Sequence, residues 1–316
     1  MDVKIERQLK IFWNTLLAQG GKREDLDLER SAICGVVERP RSLFRFRPPT
    51  ESTLDELENN FMYFSSADHY DDPFDTFMKT DIPELLGLVN SIKKDTTAIL
   101  SIIKECFPEF NEKALKEDNL KLAPTFPSEG DIIKQRQNMQ IDTYSVCFCE
   151  SVRNESSWMK YSDNHKGFVL EYEFTPELVE GLWESEALHA NLFPIYYSDK
   201  KFDATNYAIR EILLFLTRPT PAVYNELRRF LCWENTKLSL IKNKCHKYDK
   251  EWRLIPAFRL CNRDIIRKKP LSVTIGLRTS KYTERTIVEA AKIAGISKFY
   301  KMEIDDRDRF VRKQIQ

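Results

Sequence analysis

Glycine is scarce in this chain, nine among 316 residues. None stands in a G-x-G-x-x-G or G-x-x-x-x-G-K-[ST] pattern, so the sequence writes neither a Rossmann nor a P-loop phosphate cradle. G-x-S-x-G is absent too, and no cysteine–histidine spacing argues for a thiol hydrolase. Long apolar runs are missing. The longest, Ile212–Leu216, is far too short to cross a bilayer. The opening MDVKIERQLKIFWNTLL lacks the unbroken apolar stretch of a signal peptide, so a cytoplasmic protein with no membrane attachment is expected. Net charge is also missing: 49 basic residues balance 49 acidic ones. No global field draws the chain to nucleic acid or an anionic membrane, although a local patch stays open. Seven scattered cysteines read as reduced thiols, and Cys147-x-Cys149 is not a C-x-x-C site. Two residues apart on a strand, those two share a face and read as small buried hydrophobes.

What the chain has is apolar mass, 42% of residues, with 20 phenylalanines and 12 tyrosines. A helix is expected over 2–19, strands over 42–47 and 61–65, and a short helix over 53–60 capped by Ser52 or Thr53. Residues 82–121 carry helical periodicity and a polar, proline-containing loop follows. Strands are expected at 144–149, 167–174, 194–197, 251–258, 271–275 and 299–304, with helices at 204–217, 222–244 and 283–294. Strands this numerous without βα alternation predict an α+β fold with an irregular mixed sheet and flanking helices. One domain is expected over 1–316, with a core at 40–305 and a helical insertion at 82–140.

Four segments carry chemistry. In SLFRFR, Arg45 and Arg47 share a face, either solvated or aimed at a phosphate, whose oxygens suit the guanidinium fork. YFSSADHYDDPFD packs Asp68, Asp71, Asp72 and Asp75 around His69. It fails as an EF-hand, no metal is expected there, and it reads as a rigid loop. In that loop Asp72 and Asp75 cap backbone donors, Phe74 anchors in the core, and His69 and Tyr70 point outward. In NESSWMKYSDNHKG, Ser156 or Ser157 caps a helix that Gly167 ends, with Trp158, Tyr161 and His165 on one face. That face is either packed core or the wall of a ligand pocket. In KYDKEWRL, Glu251 and Arg253 share a strand face, as an internal ion pair or as a catalytic carboxylate with its orienting arginine.

Together these segments resemble a widespread bacterial family of unknown function marked by YFSSP..FNDPFD, CFS, MWSHYADNHKGF and YEKEWR. Here they read YFSSADHYDDPFD (63–75), VCFCES (146–151), SWMKYSDNHKGFVLEY (157–172) and YDKEWRL (248–254), with LFRFR (43–47) before them and TIGLRTS (274–280) after. The departures are Tyr70-Asp71 for Phe-Asn and Lys160 for Ser or Thr. The layout is also similar to the ADP-ribosyltransferase fold. That similarity implies NAD as substrate, Arg45 and Glu251 as catalytic residues, and Arg45, Tyr63 and Ser65 as NAD contacts. Trp158, Tyr161 and His165 would wall the nicotinamide. It implies transfer to a protein or nucleic-acid acceptor, as in a toxin or an antiphage effector. Two other readings stand beside it. One is a binding or regulatory module with Glu251 as an ion-pair partner. The other is a metal-dependent nuclease using the acids at 68–75 and the basic tail. The transferase reading requires Arg45, Glu251 and the 158–165 face to meet in one pocket.

Overall fold

The computed structural model describes residues 40–77, 79–106, 123–141, 143–174, 191–201, 203–217, 237–255 and 265–315, together with Arg7 and Lys10. Apart from Arg7 and Lys10, both helical, the helix expected over 2–19 lies outside these residues, as does most of that expected over 222–244.

The fold is α+β. The first strand, β1 (Ser42–Arg47), alternates as the sequence requires. Helix α1 (Glu51–Glu58) follows, capped by Thr50 rather than by Ser52 or Thr53: its side chain accepts from the Thr53 amide while Thr53 reaches back to the Thr50 amide. Strands β2 (Phe61–Tyr63) and β3 (Ser65–Ser66) come next. Helices α2 (Ile82–Lys94), α3 (Ile99–Cys106) and α4 (Glu129–Ile141) precede β4 (Tyr144–Cys149); the expected helical block is seen over 82–106, and its 107–121 part lies outside the described residues. Helix α5 (Glu155–Tyr161) and β5 (Phe168–Glu173) follow, then β6 (Leu192–Pro194), β7 (Tyr196–Tyr197) and α6 (Thr205–Thr217). The chain closes with β8 (Ile241–Lys242), β9 (Glu251–Leu254), β10 (Ile265–Arg267), β11 (Ser272–Ile275), α7 (Lys281–Ile293), β12 (Phe299–Ile304) and β13 (Phe310–Gln314). Two elements depart from expectation. Ile241–Lys242 is a strand where a helix was expected, and the charged tail forms β13, pairing antiparallel with β12. Among the described residues no helix is long and apolar enough to cross a membrane.

Nine strands form the main sheet, in the order β13-β12-β11-β5-β1-β4-β9-β6 with β3 beside β4. Only β11–β12 is parallel within it. On one face Leu43, Phe148, Tyr172, Trp252 and Val273 pack with Leu57 of α1 and Ile287 of α7. On the other, Phe46, Cys149 and Val169 pack with Trp158 of α5. The helical block has its own apolar cluster, in which Leu85, Val89 and Ile92 of α2 meet Ile212 and Leu213 of α6.

The sheet opens in the middle. Strand β4 pairs with β1 at one position only, Phe44 opposite Cys149, and with β3 at Ser65–Ser145 and Ser66–Tyr144. Between these contacts, among the described residues, the β4 edge at 146–148 has no strand beside it. Beneath the opening the chain is clamped by close approach. Gly167 does not end α5; the left-handed residues there are Asp163, Asn164 and His165, at φ 45°, 52° and 68°. Gly167 is required because a Cβ would sit 2.1 Å from the Arg47 carbonyl oxygen. Gly167→Ala is expected to destabilise the fold by about 2–3 kcal/mol, the scale of an overpacked core position. Urea unfolding against Gly87→Ala, whose added Cβ would meet nothing within 4 Å, checks it.

Candidate functional site

A cavity of about 940 Å³ occupies the opening between β1 and β4. Its β1 wall holds Phe44, Arg45, Phe46 and Arg47, its β4 wall Ser145, Cys147 and Cys149, and its floor Asp75, Lys242, Asp249, Glu251 and Arg253.

The register sets the orientation of these groups. Phe44, Cys149 and Glu251 lie side by side across β1, β4 and β9, so they share one face. Arg45 is one residue on and points to the opposite face. Arg45 and Glu251 reach one cavity only because the strands between them part.

The β1 wall is cationic. Arg45 is buried, donates from Nη2 to the Tyr63 carbonyl at 3.3 Å, and lies 3.7 Å from Glu56 through Nη1. Arg47 bonds Glu56 directly. Burial, with the neighbouring Arg45 charge, lowers the Arg47 guanidinium to about 10. Two arginines therefore share one carboxylate. Buried Arg45 Nη1 and Arg47 Nε each have no hydrogen-bond partner. Buried donors left unmet are costly.

The floor is a buried ion cluster. Arg253, 1% exposed, donates from Nη1 and Nη2 to the two oxygens of Asp75 at 2.9 and 2.6 Å. Its Nε donates to Glu251 Oε1 at 2.6 Å, and Nη1 also reaches the Ser239 carbonyl at 2.7 Å. Lys242 Nζ donates to Glu251 Oε2 at 2.9 Å and to Asp249 Oδ2 at 3.3 Å, and lies 3.7 Å from Asp75. Burial alone would raise the Glu251 carboxyl, but the Arg253 and Lys242 charges outweigh it and hold it at about 2. Burial likewise opposes the Lys242 charge, and Glu251 overcomes it, so Lys242 stays protonated. Three carboxylates meet two buried cations here, and Lys160, at the cavity wall, is a third cation beside Asp249. The Asp249 Oδ1 atom is buried without a hydrogen-bond partner; its nearest cation is Lys160 at 3.7 Å. Burial pushes Cys147 up to about 12, with Glu251 adding to it, so this thiol is not a ready nucleophile. Burial also raises Tyr161, which stays a phenol and donates to Asp71 at 3.2 Å.

Of the residues expected at an NAD site, Arg45, Ser65, Tyr161 and Glu251 line this cavity. Tyr63 contributes only its carbonyl to Arg45, its ring lying edge-on to Phe61. Trp158 is fully buried beneath α5, its indole donating to the Val152 carbonyl. His165 stacks on Trp158 away from the cavity, with ring centroids 6.0 Å apart. The face expected from i, i+3 and i+7 breaks because α5 ends at Tyr161 and three left-handed residues turn the chain back. Burial, with Arg278 nearby, lowers His165 and favours the neutral ring. The helix cap is Asn154, not Ser156 or Ser157.

The acidic loop also departs from expectation. Asp72 does cap, accepting from the Phe74 amide at 2.9 Å, but its other oxygen faces His246 at 3.3 Å. Asp75 is the bidentate partner of Arg253, not a cap. Phe74 is 64% exposed rather than anchored. Tyr70 turns inward, its hydroxyl 2.5 Å from Ser145 Oγ and its ring against Arg253, while His69 points outward. Among the described residues no three His, Cys, Asp or Glu side chains group as metal ligands. Sequence reasoning missed Asp75, Lys242 and Asp249 as members of the floor. Asp249, two residues before Glu251, had a local signal; 178 residues separate Asp75 from Arg253, and no spacing rule spans that.

No family model matches the chain, and neither a curated protein nor a solved structure shows significant similarity to it.

Removing Asp75 would leave Arg253 buried and short of a partner. Asp75→Ala is expected to cost about 3–5 kcal/mol in urea unfolding, and Asp68→Ala, on the exposed side of the same loop, under about 0.5 kcal/mol. The depressed Glu251 carboxyl adds stability that is complete above its usual 4.5 and is lost as pH falls from there toward about 2. Melting temperature should fall across that window, and by less in Glu251→Gln.

Proposed function

We propose that the cleft binds NAD and that the protein transfers its ADP-ribose group to a protein or nucleic-acid acceptor. The observation that carries this reading is one cavity with Arg45 and Arg47 along one wall and the carboxylates Asp75, Asp249 and Glu251 on its floor. Its volume, about 940 Å³, lies within the range of ligand sites, about 300–1,000 Å³. Arg45 and Arg47, both on the cavity wall, would hold the pyrophosphate. The ribose next to nicotinamide would face the floor. There the C1′–N bond breaks, the electron pair leaves on neutral nicotinamide, and C1′ becomes cationic. Glu251 and Asp249 stabilise that charge more than they stabilise the ground state. The acceptor nucleophile then bonds C1′ and gives up its proton to solvent water. Held at about 2, Glu251 remains a carboxylate at neutral pH and acts by charge, not as a proton acceptor. Lys242 and Arg253 orient it and also reduce its field.

A second reading rests on one observation. Both Glu251 oxygens already hold cations, as in a purely structural brace. The protein would then be a binding or regulatory module whose cleft takes an anionic ligand without turning it over.

The deciding experiment incubates the full chain with adenylate-labelled NAD and cell lysate, for wild type, Glu251→Gln and Arg45→Ala. Nicotinamide release and label transfer are expected in wild type. Each variant should lose about 100-fold or more in rate, with melting curves showing that it stays folded. A wild-type protein that neither consumes NAD nor gains thermal stability from it would sink the transferase reading. Stabilisation by NAD without turnover would favour the module.

A further inference from the structure

We propose that the surface formed by Phe74, the 199–201 loop and the 3₁₀ turn Lys244–Asp249 docks single-stranded nucleic acid. It rests on the reading above only in making this strand the acceptor; binding stands by itself.

The first observation is charge. In a chain with no net charge, residues 199–201 and 243–250 expose Lys200, Lys201, Lys244, Lys247 and Lys250 against Asp199, while the Phe74 segment adds exposed Asp71 and half-buried Asp72, which faces His246. Their other acid, Asp249, is buried in the cavity floor. The second is continuity. Lys244 Nζ bonds Asp199 at 2.6 Å, which ties the loop to the turn. Lys201 Nζ sits 4.5 Å from the Phe74 ring, which ties the loop to the acidic segment, and His246 meets Asp72 at 3.3 Å. The third is aromatic exposure. Phe74 is 64% and Tyr248 79% exposed. Phe74 also stands edge-on to Phe77, with ring centroids 6.3 Å apart. The fourth is concavity. A second cavity of about 410 Å³ opens here, bounded by Phe74, Phe77, Ile241, Asn243, Lys200 and Lys201. Lys242 lines both cavities, so a strand held here lies one side chain from the larger one.

Lysines track a phosphate backbone, and exposed rings stack on bases that have no partner. The smaller cavity offers one unpaired base an aromatic wall. A duplex presents no free ring face to Phe74 and Tyr248. An acidic peptide would answer the lysines and leave both rings bare.

The test is fluorescence anisotropy with a labelled twelve-nucleotide oligo(dT) and the full chain, without NAD, at about 50 and 200 mM salt. Binding is expected, weakening with salt. Phe74→Ala and Tyr248→Ala should each weaken it about 5–100-fold with the salt slope unchanged. The pair Lys200→Ala and Lys201→Ala should flatten the slope. All four side chains are exposed, and melting curves verify folding. No binding, binding untouched by these substitutions, or equal competition by duplex DNA or polyglutamate would overturn the proposal. Strand binding that maps here in a protein inert toward NAD would uphold the surface and remove the transferase reading. NAD turnover without strand binding would do the reverse.

Discussion

Arg253 is the group on which the cleft depends. Three of its nitrogens reach residues 75, 239 and 251, parts of the chain that nothing else in the sequence relates. At 1% exposure, the guanidinium needs every one of these acceptors, because a buried charge without partners is not tolerated. The demand shapes the neighbourhood. It draws Asp75 inward, and with it Tyr70, whose ring lies 5.0 Å from the guanidinium carbon. It orients Glu251, which then takes Lys242, and Lys242 takes Asp249. A turn-rich acidic loop, a two-residue strand and a sheet strand become one floor.

The second constraint is the parting of the sheet. A continuous β1–β4 ladder would have put Arg45 and Glu251 on opposite sides of a wall. Pairing at Phe44–Cys149 alone, with β3 taking over at Ser145, leaves room for side chains from both faces to meet one space. Gly167 against Arg47 and Gly276 against the His165 carbonyl keep β1, β5 and β11 close below it, so the opening sits on a rigid base. Arg45 and Arg47 share Glu56 there and keep donors spare, while Asp249 keeps an acceptor spare at the other end. The cavity thus has arginines along one wall and an ion-paired cluster of carboxylates on its floor. Lys242 also lines the second cavity, beside Phe74, Lys200 and Lys201.

Much of the architecture was legible from local pattern. Alternation in SLFRFR, the Glu251/Arg253 same-face pair, the helical block after residue 82 and the strand at 299–304 are properties of neighbouring residues, and the structure has them. The misreadings share a cause. Asp75 looked like a cap because aspartate near proline usually is one; its real partner is 178 residues away. The i, i+3, i+7 face of Trp158, Tyr161 and His165 assumed a helix longer than the left-handed turn at 163–165 allows. Phe74 was expected in the core because phenylalanine usually is, yet it stays outside with Lys201 over its ring.

By itself the sequence determined the α+β class, most of the strands and the residue types of the cleft, since periodicity and side-chain chemistry are local. Tertiary structure decided which of them meet. Whether Glu251 is a free carboxylate or a clamped one depends on Lys242 and Arg253 arriving from separate elements. Whether Arg45 shares its space depends on where two strands cease to pair. Register and long-range ion pairing are set by the packing of the whole chain, and no short stretch of residues encodes them.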